Sequence, residues 1–121
     1  MNGKPLAPHE VSPKTVHDRL ARHEIVLIDV REPAEFAAER IPGALLAPLS
    51  TFDPRSLPVL QDRVVVLHCG SGRRSAQALA ACAAAGVPIA QHMAGGLMAW
   101  KAAGLPTVST SPATGRVVDR A

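Results

Sequence analysis

The sequence predicts an α/β fold with a small, mostly parallel central sheet flanked by helices, and three observations carry that expectation. Two runs, Ile25-Val26-Leu27-Ile28-Asp29-Val30 and Arg63-Val64-Val65-Val66-Leu67-His68, are almost continuously apolar and β-branched, the pattern of strands buried on both faces. Helical segments separate and follow them, so strand and helix signals alternate along the chain. Size sets the third limit. With 121 residues, 47% hydrophobic and 19% charged, the chain makes one ordinary globular domain. An eight-stranded α/β barrel, at roughly 250 residues, is out of reach.

Taken in order, Ser12 followed by Pro13 reads as an N-cap and first helical residue, with Val16 and Leu20 giving an apolar stripe to about Arg22. The first buried strand comes next. Arg31-Glu32-Pro33 opens a short helix through Ala38, and Ile41-Pro42-Gly43 turns the chain into Ala44-Leu45-Leu46. Residues 52–60, with Pro54 and Pro58, make a loop or a short irregular helix. The second buried strand runs directly into Cys69-Gly70-Ser71-Gly72-Arg73-Arg74-Ser75, and an Ala-rich helix over 73–85 closes at Gly86 as its C-cap. Residues 89–93 form another strand, Gly95-Gly96 turns, and a last helix over 97–102 stops at Gly104 and Pro106. Only Phe36, Phe52 and Trp100 are aromatic, so the core is built from small aliphatics, with Trp100 closing it at helical spacing from Leu97. The expected organisation is a lead-in over 1–11, a folded domain over 12–107, and a flexible Ser/Thr/Pro-rich tail over 108–121.

Composition narrows the function. A net charge of +3 comes from scattered basic residues with no Lys/Arg run, and aromatics are only 2% of the chain, which argues against nucleic-acid binding. A modest arginine excess suits a small anionic substrate. No leader-type apolar segment opens the chain, and the weakly polar stretch over 78–90 is broken by Gly86 and Pro88, so neither export nor a membrane span is expected. Cys69 and Cys82 lie in unlike settings, a Gly-rich turn and an Ala-rich helix, which favours free thiols and a cytoplasmic location over a disulfide. Cys82, on the helical face of Ala78 and Leu79, is expected to pack, since the helix carries it away from the loop by ~1.5 Å per residue. His9, His17, His23 and His92 show no ligand spacing, so no metal site is expected and they read as surface or turn residues.

The chemistry concentrates at Cys69. A cysteine at the end of a buried strand and the start of a helix meets unpaired backbone N–H groups and the helix dipole, which stabilise negative charge. Gly70 and Gly72 permit left-handed backbone, so successive N–H groups converge into an anion nest. Arg73 and Arg74 add positive charge beside it. The expected result is a nucleophilic thiolate next to a pocket for a sulfur or phosphorus oxyanion. Asp29 and Arg31 end the first strand on the edge where open α/β sheets bind ligands. Asp29 reads as half of an ion pair bracing the turn, whereas Arg31 is divided between that pair and substrate contact.

Three separated pieces make most of residues 12–107 resemble the single-domain rhodanese, or thiosulfate sulfurtransferase-like, family: Asp29-Val30-Arg31-Glu32 with Phe36, the turn Ile41-Pro42-Gly43-Ala44, and the loop from Cys69 to Ser75. Gly95-Gly96 with Trp100 resembles the family's closing glycine pair and tryptophan. Family members often carry Gly-His before the Ile-Pro-Gly-Ala turn, where this chain has Glu39-Arg40. The resemblance implies a three-layer fold and a two-step reaction: Cys69 takes sulfane sulfur from thiosulfate or a persulfide donor, then passes it to cyanide or a thiol. It also implies that Gly70, Ser71, Gly72, Arg73, Arg74 and Ser75 hold the donor and the persulfide, with Arg74 as the loop brace and the Ser75 hydroxyl on the sulfur. No cofactor beyond the cysteine persulfide is implied. The expected partners are a small anionic sulfur donor and a thiol or protein acceptor, with the chain a monomer or weak homodimer. A persulfide carrier or regulatory binding module is the alternative. Tyrosine phosphatases place five residues between Cys and Arg. Here four separate Cys69 from Arg74, and Ser75 occupies the position a phosphatase gives to arginine, which disfavours phosphatase and arsenate-reductase chemistry.

Overall fold

The two β-branched runs lie side by side at the centre of a parallel sheet, as their all-apolar pattern demands. The computed structural model describes residues 6–120, so positions 1–5 of the expected lead-in, and residue 121, lie outside the described residues. The strands are β1 (Glu10–Val11), β2 (Ile25–Asp29), β3 (Glu39–Arg40), β4 (Leu45–Leu46), β5 (Val64–His68), β6 (Gln91–Met93), β7 (Thr107–Thr110) and β8 (Val117–Arg120). The helices are α1 (Pro13–Ala21), α2 (Pro33–Ala38), α3 (Arg73–Ala84) and α4 (Gly96–Ala102), with single helical turns at Leu49–Thr51 and Pro54–Ser56. The main sheet runs β1-β6-β5-β2-β4 with every pairing parallel, and β2 aligns with β5 from Ile25 opposite Val64 to Asp29 opposite His68.

Period-2 alternation divides the strand side chains between two cores. Ile25, Leu27 and Val66 pack with Val16 of α1 and Leu97 and Trp100 of α4, all buried. Ile28, Val65 and Leu67 point the other way, onto Ala78 and Cys82 of α3 and the Phe52 and Leu57 segment. Helix, sheet, helix is therefore the layering, and the α/β expectation holds. Trp100 closes the first core as expected, and its indole N–H finds the Pro106 carbonyl at 2.8 Å. Helix α1 starts where the sequence placed it: the Ser12 hydroxyl accepts from the Thr15 N–H at 3.2 Å.

Two boundaries differ from the expectation. Glu10–Val11, assigned to the lead-in, is an edge strand on β6. Residues 108–120 are no free tail: β7 pairs antiparallel with β3 on one side and β8 on the other, making a second, three-stranded sheet. The polar composition of β7 concealed this, because its buried Thr107 and Ser109 have partners only in the fold. The Thr107 hydroxyl donates to Glu39 Oε2 at 2.6 Å, and Arg120 Nε donates to Ser109 Oγ at 2.7 Å. The same contacts account for the Glu39-Arg40 departure. Glu39 also accepts from Lys101 Nζ at 2.7 Å, and the Arg40 guanidinium lies 5.3 Å from the Phe36 ring centroid.

Candidate active site

The parallel sheet delivers the chemistry to its C-terminal edge, where β5 ends and α3 begins. Cys69 is the first residue past β5 and is only 1% exposed. Its Sγ accepts the Gly72 N–H at 3.1 Å and lies 3.6 Å from Ser75 Oγ. Gly72 makes this possible: at φ +100° it folds the loop back so that its own N–H faces the sulfur, and it serves as the N-cap of α3. Ser75, one turn on and fully buried, turns its hydroxyl back toward the loop, 3.3 Å from the Gly72 carbonyl.

Helix α4 clamps the loop from the side. The Leu97 N–H donates to the Cys69 carbonyl at 2.8 Å and the Met98 N–H to the Gly70 carbonyl at 3.0 Å. A Cβ on Gly96 would sit 2.5 Å from the Cys69 carbonyl oxygen and 2.6 Å from the Gly70 carbonyl carbon. The glycine pair is thus more than a turn, since it lets the α4 terminus lie directly on the cysteine loop.

Burial pushes the Cys69 thiol pKa up, but the Ser75 hydroxyl and the N–H groups of Ser75, Ser71 and Gly72 outweigh it and leave the thiol more acidic than usual. Hydrogen bonds of the loop are the main source of that acidity. Arg74 is engaged with Glu35 of α2 through two contacts, at 2.6 and 3.0 Å, and its Nη2 comes within 3.1 Å of where a Gly70 Cβ would stand. Arg74 therefore ties the first turn of α3 to α2, with its guanidinium beside Gly70. That pairing holds the Glu35 carboxyl at about 2 and raises Arg74, with Cys69 adding to the rise. Arg73 remains exposed on the first turn of α3.

Arg31 resolves toward the ion pair. It is buried, donates through Nε and Nη2 to Asp29 at 2.8–3.1 Å, and caps the Glu39 carbonyl at 2.6 Å. Its guanidinium braces the β2 edge and the start of β3, the ion-pair side of the two roles expected for it. Cys82 is a free, fully buried thiol whose pKa burial pushes up, as expected of a packing residue. His92 is the correction among the histidines. It is 3% exposed, sits in β6, and its Nδ1 is 2.7 Å from Ser75 Oγ. The available signal was its position: near the end of a predicted strand, beside the strand that carries the cysteine. Among the described residues no cluster of His, Cys, Asp or Glu could hold a metal ion, and no helix is long and apolar enough to cross a membrane.

Fold and site together define an α/β protein with a buried, acidified cysteine cradled in a glycine-rich strand-to-helix loop. Residues 12–103 match the family described as Rhodanese-like domain, and the chain belongs to that family. It is 38% identical to a sulfurtransferase of Allochromatium vinosum over 102 residues, 84% of this chain and 95% of that protein. It is 45% identical over 103 residues to the uncharacterized protein slr1261 of Synechocystis, covering 85% of this chain but 58% of that longer protein. Among solved structures, the human single-domain sulfurtransferase TSTD1 is 30% identical with TM-score 0.66, over 79% of this chain and 97% of that one. A rhodanese-like domain from Anabaena is 25% identical with TM-score 0.73, over 95% of both chains.

Proposed function

We propose that the protein is a sulfurtransferase in which Cys69 takes sulfane sulfur from thiosulfate or a persulfide donor and hands it to cyanide or a thiol. The observation that carries this is the cysteine sulfur itself, pointed into a loop whose Gly72 N–H reaches it at 3.1 Å while Ser75 stands at 3.6 Å. Thiolate attack on the outer sulfur of thiosulfate forms the new S–S bond and breaks the old one, sulfite leaving with the electron pair. The persulfide anion then occupies the nest, where N–H groups fixed before the reaction stabilise it without reorganisation. Cyanide attacks the terminal sulfur, leaves as thiocyanate, and returns Cys69 as thiolate. No metal or organic cofactor takes part in this scheme. Support at family level comes from relatives that carry the name sulfurtransferase.

The test is mass spectrometry of the protein after thiosulfate treatment, with one added sulfur expected on the peptide containing Cys69. Cys69→Ala is expected to abolish thiocyanate formation, and turnover retained by that variant would refute the assignment. Phosphate esters are expected to be poor substrates, because the loop lacks the residue and the arginine a phosphate ring needs. A protein that loads sulfur but turns over slowly with every small acceptor would instead be the persulfide carrier.

A further inference from the structure

Behind Cys69 the site continues inward through Ser75 to His92, a side chain that the sulfur-transfer scheme does not use. Ser75 Oγ stands between Cys69 Sγ at 3.6 Å and His92 Nδ1 at 2.7 Å. Both side chains beyond the sulfur are buried, Ser75 completely and His92 to 3% exposure. A serine hydroxyl has one proton. When it donates to His92 Nδ1, its oxygen is left to accept from the cysteine S–H. When His92 carries the Nδ1 proton and donates, the hydroxyl proton is released toward the sulfur. A charged sulfur outcompetes the neutral Gly72 carbonyl for it.

We propose that Cys69, Ser75 and His92 form a proton relay in which His92 Nδ1 takes, through the Ser75 hydroxyl, the proton that Cys69 gives up. The step balances without any further reactant. The Cys69 S–H proton passes to Ser75 Oγ, the original Ser75 proton passes to His92 Nδ1, and the products are a thiolate, an unchanged serine and an imidazolium. Ser75 thereby supplies a hydrogen bond to the anionic sulfur at the moment the charge appears. The surroundings suit His92 for the role. From β1, the His9 ring lies parallel to it at 5.7 Å between centroids, and Glu10 is its register partner. From β5, Leu67 is its register partner, and α3 contributes Ser75. Burial, then the charge of His9, hold the His92 pKa below the usual histidine value against an opposing pull from Glu10. The lowered value favours the neutral ring, the form whose Nδ1 can accept from Ser75.

The relay rests on Cys69 being the nucleophile, and both measurements below are made without any sulfur donor, so a failure to load persulfide leaves them standing. Linkage requires that each charge stabilise the other. In the otherwise native full chain, the ring titration of His92 followed by NMR is expected to have a midpoint about one pH unit higher than in Cys69→Ser, where no thiolate forms. Adding Ser75→Ala to each is expected to shrink that difference by half or more. Conversely, in a Cys82→Ala background that leaves one thiol, the pH midpoint for alkylation of Cys69 is expected to rise by about one unit in His92→Leu. Trp100 fluorescence reports whether that variant is folded. A His92 midpoint indifferent to Cys69→Ser overturns the relay. So does a coupling that survives Ser75→Ala undiminished, or an unmoved alkylation midpoint in folded His92→Leu. The NMR comparison decides the matter even if His92→Leu does not fold.

Discussion

Charge at single residues decides how this site treats an anion. Arg73 and Arg74 are adjacent in sequence yet have opposite situations: Arg73 is exposed, whereas Arg74 is held by Glu35 with the two side chains 34% and 40% exposed. Removing Arg73 subtracts one screened attraction, so Arg73→Ala is expected to bind thiosulfate modestly more weakly and with less dependence on salt. Arg74→Ala does more, because it frees the Glu35 carboxylate beside an anion site. Its loss of thiosulfate affinity is expected to exceed that of Arg73→Ala, and the pair Glu35→Gln with Arg74→Ala is expected to recover part of it, measured by equilibrium binding. The same pair shapes acid stability. Glu35 titrates at about 2 in the fold against 4.5 for a free glutamate, a depressed value. Its contribution is therefore complete above pH 4.5 and lost as pH falls from there toward 2. Thermal midpoints measured across that window are expected to fall more gently in Glu35→Gln than in the native chain. At that exposure, salt is expected to reduce the difference.

At the scale of elements, the cysteine loop is a product of three pieces: the end of β5, the first turn of α3 and the first turn of α4. The α4 contact has almost no clearance. In Gly96→Ala the added Cβ meets the Cys69 carbonyl at 2.5 Å at a residue whose φ is +61°, so backbone overlap and left-handed strain act together. A loss of about 2–4 kcal/mol in unfolding free energy is expected, read from denaturant unfolding. Because the displaced groups belong to the loop, the pH midpoint of Cys69 alkylation is expected to rise in the same variant. A stability loss with an unchanged midpoint would show that α4 supports the loop without shaping it. The Asp29 and Arg31 pair plays the corresponding part on β2, bracing the edge beside the site. There the burial is complete enough that deleting one partner strands the other, at a cost of about 3–5 kcal/mol.

For the whole molecule, the second sheet ties the chain's end to its middle through Glu39, Lys101, Thr107 and Arg120. Its outer strand β8 is exposed along its length and pairs only with β7. Deleting residues 112–121 is therefore expected to cost about 1–3 kcal/mol while leaving Cys69 alkylation unaltered, since β3 and β7 remain paired. A collapse of the alkylation rate would mean that the hairpin supports the site at a distance. By itself the sequence determined the parallel sheet, because β-branched runs apolar on both faces have no other home, and it determined Cys69 and its loop, because glycines and a strand-to-helix junction are local features. It also placed Trp100 and Cys82 in the core from helical spacing. Tertiary structure decided the rest. The strands of two residues have no period to read, and β7 conceals buried hydroxyls whose partners lie far along the chain. Arg74 acquires its partner 39 residues away, Arg31 is withdrawn into the Asp29 pair, and His92 meets Ser75 across 17 residues. The Arg74 and His92 contacts join side chains that only the folded sheet brings within hydrogen-bond reach, and spacing along one chain contains no term for them.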